Sequence, residues 1–371
     1  MNIGVLGAWS IDNAGDALIG LATRRALRAR FPAATIRAFA PRFSGASWRH
    51  DTSAAHGMDG PIELVPVDDL AWTRELDALV IGGGGVVNFV PAFRAFLLAA
   101  PGLADLPVAW NGVCSQNTPA YGASADDRAL VRRCCERLAY ASVRNRTTHT
   151  FARTCGYAGE LHVVPDAAFD ASLDEKARDR SGGSDGSPPF TLALSLGNAF
   201  EDARAAGYYD ALFAEVGALV AARGGRLVLL PFGRLYGDIA LVQRAAGKLA
   251  GAEVVQPSSP LDAWRAVGAA DLYIGARLHA VIAAIVQEVP FVVADEYLSD
   301  QMATSKLREL IVDLGLEAHY TCPFITRTPA PKLALAAQAI GTRPFSAIVA
   351  AQRARLDEHW SAMSRALGLP C

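Results

Sequence analysis

Asp174–Pro189 reads DEKARDRSGGSDGSPP, and this stretch decides how the chain is divided. It is polar, rich in Gly, Ser and Pro, and without apolar periodicity, so it predicts an exposed linker. On both sides of it, short apolar runs alternate with helix-patterned stretches, the pattern of βα units around a parallel sheet. Before the linker, strands are predicted at Asn2–Leu6, Thr35–Phe39, Ala78–Ile81, Ala141–Arg144 and His162–Val164, with helices over Ala17–Arg30 and Ala125–Ala139. After it, strands are predicted at Thr191–Leu196, Arg226–Pro231, Glu253–Val255, Asp271–Ile274 and Phe291–Ala294. The helices between and beyond them are Tyr208–Ala222, Ile239–Leu249, Pro260–Val267, Leu278–Gln287 and Ala303–Leu314.

The expected class is therefore α/β, with two doubly wound domains facing a cleft. Residues 1–173 form the first, 174–189 the linker and 190–340 the second. Residues 341–371 carry a final helix, Phe345–Leu367, expected to pack back on the first domain. Ligands of doubly wound sheets sit outside the carboxyl ends of strands, so site residues are expected in the loops that follow strands.

Composition agrees. The 371 residues suit two domains, and 51% hydrophobic against 19% charged residues gives ample apolar surface to bury. The charge is 35 − 37 = −2, which offers no basic field for nucleic acid. Cys114, Cys134, Cys135, Cys155, Cys322 and Cys371 make no C-x-x-C pair, so neither a metal site nor a disulfide framework is expected. MNIGVLGAW at the start reads directly as a strand with no positive n-region, predicting no signal peptide and a cytoplasmic location. The longest apolar candidate, Val281–Ala294, is interrupted by Gln287, Glu288 and Pro290. It falls short of the ~18–20 residues of a membrane span.

Five segments carry residues suited to chemistry. Ala8–Asp16, AWSIDNAGD, follows the first strand but lacks the G-x-G-x-x-G spacing and a P-loop lysine. Gly15 suits a close backbone approach and Asp16 an N-cap. Ile81–Asn88, IGGGGVVN, follows a predicted strand, where glycines let backbone approach a ligand or simply pack tightly. Ser142–Asn145, SVRN, places Arg144 at a strand end, suited to a carboxylate or phosphate, or to a salt bridge. Val164–Phe169, VPDAAF, reads as a turn and helix cap.

Gly275–Ala280, GARLHA, is the strongest signal. It ends a strand and opens a helix, with Arg277 and His279 in the first turn. Backbone N–H groups and the helix dipole favour an anion there. An Arg and a His at that point suit a phosphate or carboxylate ligand and a proton transfer.

Taken in order, N-A-G-D, G-G-G-G, S-V-R-N, V-P-D-A-A-F and G-A-R-L-H-A resemble the polysaccharide pyruvyl transferase family, over about residues 3–315. Glu296-Tyr297 followed by Lys306 resembles the family's E-Y…K segment. Asn145 stands where the family often has Asp, and the spacing from Tyr297 to Lys306 is longer than usual. The resemblance implies a GT-B-like fold of two Rossmann-like domains. It implies transfer of an enolpyruvyl group from phosphoenolpyruvate to a sugar, giving a pyruvate ketal and phosphate, without a metal or further cofactor.

Under that resemblance the expected catalytic residues are His279 as proton donor to the methylene carbon, Arg277, and Asp16 as base. Arg144, Gly275, Arg277, His279 and Lys306 are expected to bind the donor. Asn13, Gly82, Gly83, Gly84, Gly85 and Asn88, on the first domain, are expected to bind the acceptor. A lipid-linked oligosaccharide is one compatible acceptor and would bring peripheral membrane contact. A nucleotide-sugar glycosyltransferase of the same architecture, and a non-catalytic glycan-binding protein, are the competing readings.

Overall fold

The computed structural model describes residues 1–9, 13–41, 59–66, 69–87, 103, 105–115, 123–174, 189–233, 238–296 and 305–370. The first sheet holds β1 (Asn2–Leu6), β2 (Thr35–Pro41), β3 (Ile62–Val65), β4 (Ala78–Val87), β5 (Val108–Ser115), β6 (Ser142–Val143) and β7 (His162–Val163). Its order is β3-β2-β1-β4-β5-β6-β7. Each pairing with a stated register is parallel, as in Ile3↔Ile36 and Ile3↔Ala78. Helices α1 (Ala14–Arg30), α2 (Ala125–Arg137) and α3 (Arg146–Thr154) accompany it.

The second sheet holds β8 (Thr191–Ser195), β9 (Arg226–Leu229), β10 (Glu253–Val254), β11 (Leu272–Gly275), β12 (Phe291–Ala294) and β13 (Tyr320–Thr321). Its order is β10-β9-β8-β11-β12-β13, again parallel. Its helices are α4 (Ala206–Ala222), α5 (Asp238–Ala246), α6 (Pro260–Gly268), α7 (Leu278–Val286), α8 (Lys306–Asp313) and α9 (Ala330–Gln338), followed by α10 (Ser346–Ala366). In both sheets the order runs outward from the first strand in one direction and then reverses. That reversal creates a switch point, between β1 and β4 in one sheet and between β8 and β11 in the other.

Central strands are apolar because both faces are covered. TLALS of β8, LYIG of β11 and FVVA of β12 are buried throughout, whereas both residues of the edge strand β10 are exposed. Leu194, Leu212, Val216, Ile274 and Val292 form part of one core cluster in this unit. Helix α7, LHAVIAAIV, is buried from His279 to Ile285. A helix apolar all round belongs inside a unit rather than at its surface. His279 is the single ionisable side chain that this helix carries inward.

By contacts the chain separates into two units. The first comprises Met1–Asp12, Asp16–Leu173 and Ala351–Cys371; the second comprises Asn13–Gly15 and Asp174–Ala350. The tripeptide Asn13–Gly15 thus groups with the second unit, and the last helix changes unit after Ala350. Residues 353–360 of α10 bond within the first unit. Arg353 donates to the Phe169 carbonyl (3.2 Å), Trp360 Nε1 donates to Asp170 Oδ2 (3.1 Å), and His359 Nε2 meets Asn111 Oδ1 (2.8 Å).

Three elements differ from expectation in ways that bear on the site. β4 continues to Val87 instead of ending at Ile81, so Gly82–Gly85 lie in a strand and not in a loop. Helix α1 starts at Ala14, three residues early, which takes Asp16 out of the cap position. The strand β5, VAWNGVCS, has no predicted counterpart, because Asn111 and Gly112 interrupt its apolar run. Gly112 adopts φ +58°, and Asn111 is buried with its amide donating to Thr23 Oγ1 at 2.9 Å.

Candidate functional site

In the second unit, β11 ends at the switch point. Gly275 is in register with Ser195 of β8 and Val293 of β12. A Cβ on Gly275 would lie 2.1 Å from Tyr273 Oη and 3.1 Å from Ser195 Cβ. This glycine, expected to contact the donor, is therefore needed for the packing of its own strand end. The chain then turns through Arg277, the N-cap of α7, with φ −95° and ψ 120° and no side-chain capping bond. Other helices are capped by an oxygen: Asn145 for α3, Ser259 for α6 and Ser305 for α8. An arginine side chain cannot accept a hydrogen bond, so Arg277 does not cap α7 in that way.

The Arg277 guanidinium lies between two carboxylates. Its Nε donates to Asp238 Oδ2 at 3.1 Å and its Nη2 to Asp238 Oδ1, a two-point contact. Its Nη1 donates to Glu296 Oε1 at 3.4 Å. Asp238 opens α5, is buried, and accepts from the Phe232 N–H at 3.2 Å. Glu296 follows β12, and its Oε2 accepts from the Ala199 N–H at 3.0 Å. A Cβ on Gly197 would lie 2.1 Å from that oxygen, so residue 197 has to lack one.

His279 is buried in the first turn of α7. Gly15 packs against its ring, since a Cβ there would sit 2.1 Å from His279 Nδ1. The tripeptide holding Gly15 is fixed in this unit by the Ala14 N–H donating to the Phe232 carbonyl at 3.0 Å and by a bridge between Asn13 and Gly233. Asn13 Oδ1 accepts from the Gly15 N–H at 3.0 Å. Asn13 therefore occupies the cap position expected for Asp16, and it belongs with His279 instead of lying on the first domain. Lys306 is the first residue of α8, next to the capping Ser305.

The first unit gathers a different polar cluster. Arg144, just past β6, pairs with Asp166, and their side chains are 6% and 5% exposed. Asp166 also accepts from the Ala168 N–H at 2.9 Å, the turn and cap read in VPDAAF. Burial works against the Arg144 charge, but Cys114, Asp166 and Asp16 outweigh it and hold the guanidinium above its ordinary range. Asp16 reaches this cluster across Gly84, whose φ is +83° and whose Cβ would lie 2.7 Å from Asp16 Oδ1. Asn145 caps α3 by accepting from the Thr148 N–H at 3.1 Å, a bond that Asp in this position would make equally well.

Of the glycines expected to line the acceptor site, three are closed by side chains. A Cβ on Gly82 would meet Trp9 at 2.7 Å, one on Gly83 would meet Ile19 at 2.3 Å, and Gly84 faces Asp16. Gly85 is half-buried in β4. Asn88 and Tyr297 lie outside the described residues.

Asp238 is the site residue that sequence reasoning missed. Its one sequence signal is an acidic residue at a helix start, which is common to many helices. Among the described residues, no group of three or more His, Cys, Asp and Glu could hold a metal.

A family model described as polysaccharide pyruvyl transferase matches residues 13–295 of the chain. No curated protein sequence matches it. Among solved structures it is similar to a Listeria monocytogenes protein assigned as a UDP-N-acetylglucosamine 2-epimerase. That match has TM-score 0.60 and 10% identity, covering 98% of this chain and 96% of that one. It is also similar to another UDP-N-acetylglucosamine 2-epimerase (TM-score 0.58, 14% identity, 97% and 96% covered). The Methanocaldococcus jannaschii UDP-GlcNAc 2-epimerase gives TM-score 0.57 and 11% identity, with 93% and 94% covered. At such identities the likeness is one of fold, the GT-B-type α/β fold of two domains.

Proposed function

The chain belongs to the polysaccharide pyruvyl transferase family, and from that premise we propose that it moves the enolpyruvyl group of phosphoenolpyruvate to a sugar of a glycan or its precursor. The observation that carries this reading is the placement of Arg277 and His279 together at the N-terminus of α7, beside the switch point of the second sheet. Phosphoenolpyruvate has a phosphate and a carboxylate. A guanidinium and helix N–H groups suit either one.

The chemistry needs one acid and two hydroxyls. His279 gives a proton to the methylene carbon, which leaves the adjacent carbon electrophilic. A sugar hydroxyl attacks that carbon, forming a C–O bond. The C–O bond to phosphate breaks, and a second hydroxyl closes the ketal. Two hydroxyl protons are released; one replaces the proton taken from His279 and the other leaves with phosphate. We assign Asp16 as the base for the attacking hydroxyl, an assignment that Asp16→Asn tests through the acceptor KM and kcat. Among the described residues no helix is long and apolar enough to cross a membrane.

The test is phosphate release from phosphoenolpyruvate in the presence of a panel of oligosaccharide acceptors, with calorimetric binding of phosphoenolpyruvate and of nucleotide sugars alongside. Acceptor-dependent phosphate release with a mass gain equal to a pyruvate ketal is the expected result. Binding of a nucleotide sugar with no binding of phosphoenolpyruvate would replace this reading with a glycosyltransferase. Glycan binding without any turnover would replace it with a binding protein.

A further inference from the structure

Arg277 is held by its two carboxylates in unequal ways. Asp238 grips the Nε and Nη2 edge at two points, and its own side chain is 4% exposed. It also accepts from the Phe232 N–H, so withdrawing it would strand a buried N–H and a buried charge together. Glu296 makes one contact, Nη1 to Oε1 at 3.4 Å, beyond the 2.7–3.2 Å usual for such bonds. Its other oxygen is kept by the Ala199 N–H at 3.0 Å, in a space that Gly197 leaves open. Glu296 can therefore release Nη1 and remain hydrogen-bonded.

The geometry points to a division of labour: Asp238 is the positioning residue that aims Arg277, and Glu296 is a built-in anion that the donor's phosphate or carboxylate displaces from Nη1. The inference rests on the reading that Arg277 receives an anionic group of the donor. A guanidinium fixed on one edge by a buried aspartate keeps its other end in a set direction, which favours two-point recognition of an incoming anion. A weakly bound glutamate at that end holds the site in order while it is empty, and competes with the ligand once one arrives.

The two roles predict opposite changes in affinity. Asp238→Asn puts an amide N–H opposite an arginine N–H and loses the two-point grip. Phosphoenolpyruvate binding by calorimetry should weaken about 10–100-fold, the range for a hydrogen bond to a charged group. The donor KM should rise while the acceptor KM stays unchanged. Glu296→Gln keeps an oxygen for the Ala199 N–H but removes the competing charge. Phosphoenolpyruvate, and inorganic phosphate used as a second probe, should then bind about 3–10-fold more tightly, a gain below that of a full charged hydrogen bond.

A purely structural role for Glu296 cannot tighten binding. If Glu296→Gln weakens binding or leaves it unchanged, the displacement is wrong. If Asp238→Asn folds and binds as the parent does, the positioning is wrong; if it does not fold, Glu296→Gln alone decides. Arg277→Ala separates this inference from its premise. Should Arg277→Ala bind phosphoenolpyruvate as the parent does, the functional reading itself fails. Loss of binding in Arg277→Ala together with unchanged affinity in the two carboxylate variants would overturn the inference alone.

Discussion

Each unit carries an arginine just past a strand of its sheet, Arg144 after β6 and Arg277 after β11, and carboxylates meet both. The surroundings differ. Arg144 is 6% exposed, with Asp166 tied to a helical turn and Asp16 held across Gly84. Arg277 is 16% exposed, lies at the switch point, and shares the first turn of α7 with His279. A closed ion pair orders the chain around it, because removing either partner leaves a buried charge. An arginine that solvent still reaches, at a helix start beside a histidine, suits an anionic ligand. We infer that Arg277 and His279 receive the donor, whereas the more deeply buried Arg144–Asp166 pair orders its own unit beside Asp16.

The sharpest way to break this contrast is at the histidine. His279→Ala should lower kcat by about 10²–10⁴, the usual loss of a general acid, with the melting temperature close to the parent's. Near-normal kcat at saturating acceptor would remove His279 from the chemistry and with it the catalytic half of the comparison.

Swapping the arginines comes next. Arg144→Ala should destabilise the protein by about 3–5 kcal/mol in denaturant unfolding, because Asp166 is left buried without its partner. Arg277→Ala should also cost stability, because Asp238 is left buried without its partner, and should in addition abolish phosphoenolpyruvate binding. If Arg144→Ala instead unfolds at the parent's midpoint and loses donor affinity, the first cluster is a ligand site as well.

Gly15→Ala sharpens the picture of the second unit. The added methyl would collide with His279 Nδ1, and displacement of a catalytic group by about 1 Å costs roughly 10²-fold. We expect kcat to fall by that order while circular dichroism is unchanged. A fully active Gly15→Ala would show that the ring tolerates displacement.

The first unit's preference for sealed polar groups is tested by pH. His359 is lowered from 6.5 to about 3, by burial first and then by the charges of His162 and Arg30. Its ring bonds to Asn111 Oδ1 and Tyr140 Oη, at 2.8 and 3.1 Å. The unfolded chain takes up a proton near pH 6.5 that the folded ring refuses, so more protons are bound by the unfolded state. The stability that this ring contributes is complete above pH 6.5 and is lost as pH falls from there toward about 3. Urea midpoints at stepped pH should show the decline, and His359→Gln should flatten it. The smallest effect is at Asn13: Asn13→Ala loses the bond to the Gly15 N–H and should cost about 1 kcal/mol.

The sequence by itself determined the two parallel α/β units and the place of the best motif. Alternation of apolar runs with helical stretches is local, and so are the turn after a strand and the first turn of a helix. GARLHA could therefore be placed at the end of β11 and the start of α7 from its own residues. The tertiary structure decided which charge meets which. Arg277 lies 39 residues from Asp238 and 19 from Glu296, and Arg144 lies 22 from Asp166. Those distances along the chain are closed by the strand order of each sheet, which no local pattern contains.

The same holds for the glycines. Gly82, Gly83 and Gly84 looked like a ligand loop, but whether a missing Cβ makes room for a ligand or for Trp9, Ile19 and Asp16 depends on what packs across it. Asp16 lost its expected capping role for a related reason. The helix start moved to Ala14 because Asn13–Gly15 gains its hydrogen bonds from Phe232 and Gly233, more than two hundred residues away along the chain.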